Sequence, residues 1–502
     1  MLDFQLLDAV AAPVNVTTLW RRDPIWMHPK ISLAHEPQRA PDEVGRLTAI
    51  IGQNGTGKTH LLSAIIESLL IIEHVVKRRK TRALELPLQR LSYRIGSKTV
   101  ELERVEHGSA VAFVDGEQVM LYDVPLPERI VALTITPFDK FPVPRLAAFS
   151  VKPTEESCYR YLGLRDRTGR ASIENLLFRS LNSLFETSSN PAVRRVRISR
   201  VFEFLKLQPK LTVVYRVRIA REVLKACYAR IPILNEGVIH DRSRLRRAQE
   251  VAKSGQATEE QLSEAILLAE QVMDKGFVRL TAAFEADGYV DPMFAEFQPL
   301  RRAGFLQLTA VEVEQENGLI TDLKRASSGQ ISIATALLSL ASEIQDGSLV
   351  LIDEPELSLH PDWQIKYIDL LLDTFRGYKG CHFLIATHSP LVISELPRHA
   401  TLVALDNPNA PPASELAGQS SDVQLAEAFQ LISNNNLHLR DLIVDALKAA
   451  ADGEASTQGF RDQVLHLTRM TSSLPPDDGV RVIVNGLNRA AVDAIEKQNA
   501  AG

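Results

Sequence analysis

Arg46-Leu-Thr-Ala-Ile-Ile51 runs directly into Gly52-Gln-Asn-Gly-Thr-Gly57-Lys58-Thr59, and Lys58 to Val76 then continues with helical spacing. A short β-prone apolar run, a glycine-rich turn and a helix form the context in which G-x-x-x-x-G-K-T reads as a phosphate-binding loop. Glycines let the backbone close around an anion and aim successive N–H groups at its oxygens, and the helix N-terminus adds partial positive charge. In that reading Lys58 reaches the β- and γ-phosphates and the Thr59 hydroxyl ligates magnesium. Gly52, Asn54, Gly55, Gly57 and His60 complete the candidate nucleotide contacts. A glycine turn that only opens a helix is the plainer alternative, and the flanking strand and helix argue against it.

Leu349-Val-Leu-Ile-Asp353-Glu354 supplies a second element. Its apolar run suits a central strand buried on both faces, with two carboxylates emerging at the strand end. Asp353 is placed to hold magnesium, and Glu354 to orient and polarise an attacking water. Alone, such a strand end is common; joined to the glycine loop it becomes specific. Three further segments keep order around it: Ser327-Ser328-Gly329-Gln330 at the start of a helix, Ser358-Leu-His360-Pro361 after the carboxylate pair, and Ile385-Ala-Thr-His388-Ser389 at the end of a later strand. Singly each is weak, and His388 alone reads as an ordinary strand-end polar residue.

Together these motifs resemble the ATP-binding heads shared by RecF, SMC and OLD proteins and ABC transporters, over approximately residues 1–150 and 300–405. The resemblance implies ATP and Mg2+ as cofactors, with Lys58, Glu354 and His388 catalytic and Thr59 and Asp353 holding the metal. It also implies that Ser327, Ser328, Gly329 and Gln330 of one subunit cap the nucleotide on another, so that two copies meet head to tail. The sequence departs from the family pattern at Ala326 and Ser328, where leucine and glycine are usual. No Q-loop glutamine is present in Thr136-Pro-Phe-Asp-Lys-Phe141.

The fold class expected is α/β: an ABC-type P-loop ATPase head of two lobes, with a mostly parallel sheet, an antiparallel β-subdomain, a helical insertion and a helical tail. Residues 1–149 form the first lobe, 150–300 a helical basic insertion, 301–406 the second lobe and 407–502 the tail. Thr99–Val105, Ala110–Val114 and Arg129–Ile135 suggest the antiparallel subdomain. Ala171–Phe185, Arg216–Ala229 and Glu259–Lys275 have helical spacing, and Glu316-Asn-Gly318 marks a hairpin between Leu306–Glu314 and Leu319–Leu323.

The chain of 502 residues is 45% hydrophobic and 24% charged, which is globular composition. Three cysteines without a C-x-x-C pair suggest neither a disulfide framework nor a zinc site, and fit a reducing cytoplasm. Leu61–Val76 is too short and too polar for a bilayer, and no secretory signal is recognisable at the N-terminus, so no membrane partner is expected. Net charge is −5, yet residues 191–250 carry 15 Lys and Arg against 5 Asp and Glu. That basic segment suggests a nucleic acid or a subunit contact, with a solvated face as the plain alternative. Lys77-Arg-Arg-Lys80 with Arg82 is read as last-turn cations that complement a helix dipole.

Gln53-Asn-Gly-Thr-Gly-Lys-Thr-His60, Thr136–Phe141 and Asp422–Phe429 are similar to PtuA-type ATPases of Septu and retron-linked antiviral defence systems. That resemblance implies an HNH nuclease as partner effector, and leaves open whether assembly continues beyond the dimer. A DNA-repair ATPase resembling RecF is the alternative, followed by the ATPase subunit of a transporter. Against the transporter, 269 positions separate Lys58 from Ser327. An OLD-type nuclease would need a TOPRIM carboxylate pattern after His388, which Asp477-Asp478 does not supply.

Overall fold

The computed structural model describes residues 3–11, 30–34, 45–78, 85–105, 110–143, 157–165, 176, 191–253, 255–285, 288–407, 409–429, 432 and 436–500. Its strands are β1 (Phe4–Ala11), β2 (Lys30–Ser32), β3 (Arg46–Ile51), β4 (Leu88–Ile95), β5 (Lys98–Arg104), β6 (Ala110–Val114), β7 (Glu117–Val119), β8 (Ile130–Thr134), β9 (Tyr159–Leu162), β10 (Leu207–Val217), β11 (Phe277–Ala283), β12 (Leu306–Gln315), β13 (Ile320–Asp322), β14 (Leu349–Asp353), β15 (His382–Thr387) and β16 (Thr401–Ala404).

The continuous apolar runs become the six-stranded central sheet, in the order β16-β3-β15-β14-β8-β9. Every neighbouring pair in it is parallel. Side chains alternate across a strand, so one apolar run serves two cores. Val350 and Ile352 of β14, with Phe383 and Ile385 of β15, face one cluster, while Leu349, Leu351, Leu384 and Ala386 face the other. The first cluster includes Ile333, Leu337 and Leu340 of the signature helix, Ser328–Glu343. The second includes Leu61, Ile65, Leu69 and Ile72 of the P-loop helix, Lys58–Arg78. Signature helix and P-loop helix therefore lie on opposite faces of the sheet. By length and composition Lys58–Lys77 passes for a membrane-crossing helix, but 56% of that window is buried against this core.

The six-stranded sheet β2-β1-β4-β5-β6-β7 covers the far side of the P-loop helix, every neighbour antiparallel. The expected subdomain is present, with one correction: Ile130–Thr134 is not part of it. All five of its residues are buried, and it pairs in parallel with β14 and β9. Burial on both faces is what a continuous Ile-Val-Ala-Leu run demands. His382 ties the two sheets together: its Nδ1 accepts the Leu6 N–H at 2.9 Å, and Nε2 lies 2.9 Å from the Thr48 hydroxyl, which donates to the Leu33 carbonyl.

The stretch 150–300 is not wholly helical. β9 joins the central sheet, and β10 and β11 build the antiparallel sheet β11-β10-β12-β13 with the strands that follow. β10 runs on to Val217, with Leu211, Val213, Val214 and Tyr215 buried between its two partner strands, so the expected helix begins only at Arg221 and ends at Tyr228. Glu259–Val272 is helical, with a capping box between Thr258 and Gln261. The β12–β13 hairpin turns at Gly318, where φ is +81°. Ala171–Phe185 lies outside the described residues except for Leu176, as do Arg79, Lys80 and Arg82.

In the tail, helices Leu437–Ala451, Gln458–Met470 and Gly479–Ala500 pack on one another. They enclose a separate core of Leu439, Ile443, Phe460, Val464, Leu467, Met470, Val484 and Leu487.

Candidate nucleotide site

Strand register gathers the site. Ile51 pairs with Thr387, Asp353 with Ala386 and with Thr134, so the loops after β3, β15, β14 and β8 leave one edge of the sheet together. The carboxyl ends of parallel strands are where open α/β sheets bind ligands.

The P-loop takes its shape from glycine. A Cβ on Gly52 would lie 2.7 Å from the Thr56 hydroxyl oxygen. Gly55 and Gly57 adopt φ of +86° and +96°, a region other residues enter at a cost. Gln53 donates its N–H to the Asp406 carboxylate at 2.7 Å, which anchors the loop to the end of β16. Lys58 is 5% exposed, and its ammonium donates to the Gly52 and Gln53 carbonyls at 2.7 and 3.2 Å. Burial holds its pKa below the usual lysine value, opposed by the carboxylates of Glu354, Glu356, Asp353 and Asp406. Asn54, Gly55 and His60 are exposed, the first two on the loop and His60 in the first turn of the helix.

Thr59 and Asp353 meet directly. The threonine hydroxyl lies 3.0 and 2.9 Å from the two carboxylate oxygens. Burial pushes the Asp353 pKa up to about 7; the Thr59 hydrogen bond works against that rise, and the charges of Glu354, Asp139 and Glu356 add to it. A hydroxyl and a buried carboxylate at the mouth of a phosphate loop form an oxygen donor set that suits Mg2+, which takes one or two carboxylates and leaves its other positions to phosphate and water. The residues fit the ion. Among the described residues, no group of three or more His, Cys, Asp and Glu is arranged to hold a metal.

Glu354 sits where the chain turns sharply, with φ at +47° and its N–H donated to the Ala386 carbonyl at 2.8 Å. Non-glycine residues held in this region are strained, and such strain gathers at functional sites. His388 brings Nδ1 to 3.7 Å from Glu354 and 3.1 Å from Glu356. Glu356 escaped the sequence reading, as did Asp406 and the partners of Asp139. Asp139, whose side chain is fully buried in the loop after β8, accepts from Arg165 at 3.0 and 2.5 Å and from the Tyr161 hydroxyl at 2.9 Å. It occupies the stretch in which no glutamine is available.

The signature segment is ordered by its own side chains. Ser327 caps the helix by accepting the Gln330 N–H at 3.3 Å, and the Gln330 side-chain oxygen accepts the Ser327 N–H at 3.2 Å. Ser327 and Ser328 are exposed. Gly329 is buried against the loop after β14, where a Cβ would meet the Ser358 carbonyl at 2.7 Å and the Trp363 ring at 3.3 Å. Thus the candidate residues form two groups: the P-loop, Asp353, Glu354 and His388 at the sheet edge, and Ser327–Gln330 on a helix of the opposite face.

The basic segment is partly structural. Arg218 donates to the Gln307 side chain at 3.0 and 2.9 Å, and Arg244 donates to the Arg218 carbonyl at 3.0 Å while its guanidinium lies over the Phe305 ring. Arg216, Arg242, Arg246 and Arg247 are exposed. The side chains of Arg194, Arg195 and Arg197 lie outside the described residues.

Comparison with known proteins finds similarity over parts of the chain. Residues 180–394 match the family described as "AAA domain, putative AbiEii toxin, Type IV TA system", a span that holds Ser327–Gln330, Asp353, Glu354 and His388 but not the P-loop. Protein ea59 of Escherichia phage lambda is 33% identical over 147 residues, 28% of this chain and 27% of that protein. The "Retron Vc95 probable ATPase" of Vibrio cholerae serotype O1 biovar El Tor is 41% identical over 56 residues, 11% of this chain and 10% of that protein. The chain thus spans about a quarter and a tenth of the lengths of these two relatives. Among solved structures, the SMC head domain from Thermotoga maritima is similar at a TM-score of 0.33 and 11% identity, covering 80% of this chain and 94% of that one. A nucleotide-free ATP-binding cassette from an ABC transporter is similar at 0.25 and 10%, covering 81% and 88%.

Proposed function

We propose that this chain binds ATP with Mg2+ and hydrolyses it, and that two copies close head to tail around the nucleotide to control a separate effector. The observation that carries the reading is the Thr59–Asp353 contact at the mouth of the P-loop, with Lys58 on one side and Glu354 and His388 on the other. Thr59 and Asp353 would hold the ion, whose charge neutralises phosphate oxygens when it is bound. Lys58 exchanges its loop carbonyls for phosphate oxygens. Glu354 accepts a proton from the attacking water, and His388 orients on the nucleotide from the end of β15.

The placement of the signature helix across the sheet from the P-loop helix supports the composite site, because Ser327 and Ser328 are exposed for a second copy. Retron similarity supports a place in antiviral defence, and the effector we favour is an HNH nuclease. The pure chain then hydrolyses ATP but cuts no DNA. Steady-state ATP hydrolysis with Mg2+ tests the core of this: Glu354→Gln should keep ATP binding and lose turnover, and Lys58→Ala should lose tight binding. Turnover of Glu354→Gln at the parental rate would overturn the assignment of the water-polarising carboxylate.

A further inference from the structure

We propose that Glu356 is the positioning residue of the site, a buried carboxylate that fixes the proton of His388 on Nδ1 and leaves Nε2 for the nucleotide or its attacking water. The proposal rests on the ATP-hydrolysis reading and adds a residue that no motif assigns. Glu356 lies three positions beyond Asp353 and is 5% exposed. A single oxygen, Oε1, accepts two hydrogen bonds from one neighbouring strand end, from the Thr387 hydroxyl and the His388 N–H, each at 2.8 Å, and His388 Nδ1 lies against it at 3.1 Å. The loop after β14 and the end of β15 are thereby joined through one atom. Ser389 adds a second link, donating its hydroxyl to Gln364 at 2.7 Å.

The chemistry of the pair follows from what each group can offer. An ionised carboxylate only accepts, so a ring nitrogen against it carries the proton, and the other ring nitrogen is left free to accept or, when protonated, to donate. Glu354 approaches the same Nδ1 from 3.7 Å, so both carboxylates lie on that edge of the ring. No hydrogen bond to Nε2 is present among the described residues. A carboxylate is also more than the strand end needs, since an uncharged amide oxygen would accept the Thr387 and His388 main-chain bonds equally well. Its second oxygen, Oε2, is buried without a hydrogen-bond partner among the described residues. A buried polar atom left unpaired calls for a functional explanation. Here the explanation is charge: only the carboxylate holds the imidazole in one tautomer and one orientation, the role a buried acid plays for a histidine in hydrolytic triads.

Two measurements on the full chain test this. The first is ATP turnover with Mg2+, alongside the Kd of a non-hydrolysable ATP analogue, for the parental protein, Glu356→Gln, His388→Ala and the double variant. Glu356→Gln should lower kcat by about tenfold or more, the scale of a hydrogen bond to an ionised group, with Kd unchanged. It should lower kcat no further once His388 is alanine. A parental kcat for Glu356→Gln, a loss of analogue binding, or multiplying losses in the double variant would each overturn the proposal, because a purely structural cap would survive removal of the ring. The second is nitrogen NMR of protein labelled at histidine, with the His388 signal identified by its absence in His388→Ala. The parental ring should be protonated at Nδ1, whether or not Glu356→Gln folds; a ring protonated only at Nε2 would overturn the proposal. If the parental protein turns over no faster than Lys58→Ala, the ATPase reading fails, and the NMR result still decides the role of Glu356.

Discussion

His382 joins the central sheet to the antiparallel sheet, and its replacement by glutamine should change stability in a manner that depends on pH. Burial pushes its pKa down to about 3 from an ordinary 6.5, with the nearby Arg46 charge adding to the fall and Asp3 opposing it. The ring stays neutral in the folded protein because Nδ1 must accept from Leu6. In the unfolded chain it takes up a proton near pH 6.5. Below that pH the unfolded state binds the extra proton, so the contribution of His382 is complete above pH 6.5 and is lost as pH falls towards about 3. Each pH unit is worth about 1.4 kcal/mol, so between pH 6.5 and pH 5 the loss is about 2 kcal/mol. Asp353 shifts in the opposite direction, upward to about 7, and masks this in the parental curve. The comparison with His382→Gln removes that masking, because Asp353 is common to both proteins. Urea unfolding at pH 8 and pH 5 should show a gap between parental and variant protein that is about 2 kcal/mol smaller at pH 5. An equal gap at both pH values would refute a neutral, buried His382.

Gly329→Ala should cost about 1–3 kcal/mol and lower ATP turnover, because its Cβ would strike the Ser358 carbonyl, a main-chain atom that cannot rotate away; urea unfolding and a turnover assay measure both. Arg242→Glu with Arg246→Glu and Arg247→Glu should flatten the salt dependence of DNA binding if the exposed arginines neutralise phosphates, as counterion release requires. A slope equal to that of the parental protein in a titration of ionic strength would return these residues to the role of a solvated face.

The gathering of the candidate residues at one edge of the sheet was legible because their motifs are local: Gly52–Thr59, Asp353-Glu354 and Thr387-His388 each declare a strand end within a few residues. The parallel sheet was legible for a related reason, since Leu349–Ile352 and Phe383–Ala386 are apolar at every position and must be buried on both faces. Ile130–Thr134 carries the same signal and was misplaced because alternating segments surround it. The strand from Leu207 was misread in part as a helix for a different reason. Its partners in β12 begin at Leu306, so the pairing that makes it a strand comes from a distant part of the chain. Glu356 and Asp406 were missed because their roles exist only through long-range contacts. Glu356 meets Thr387 31 positions away, and Asp406 meets Gln53 353 positions away. An acidic residue two or three positions beyond the end of a strand of the parallel sheet was the one signal available for each.

The central claim is that ATP closes two chains around sites to which both contribute. Sedimentation of Glu354→Gln protein, which should hold ATP without consuming it, tests this most directly when run with and without ATP and Mg2+ beside the double variant Glu354→Gln with Ser328→Arg. The account predicts an ATP-dependent dimer for the first and a monomer under all conditions for the second, since the arginine occupies the exposed helix start that must face the partner's phosphates. A Glu354→Gln chain that stays monomeric with saturating ATP, or a Ser328→Arg chain that dimerises as readily, would contradict it.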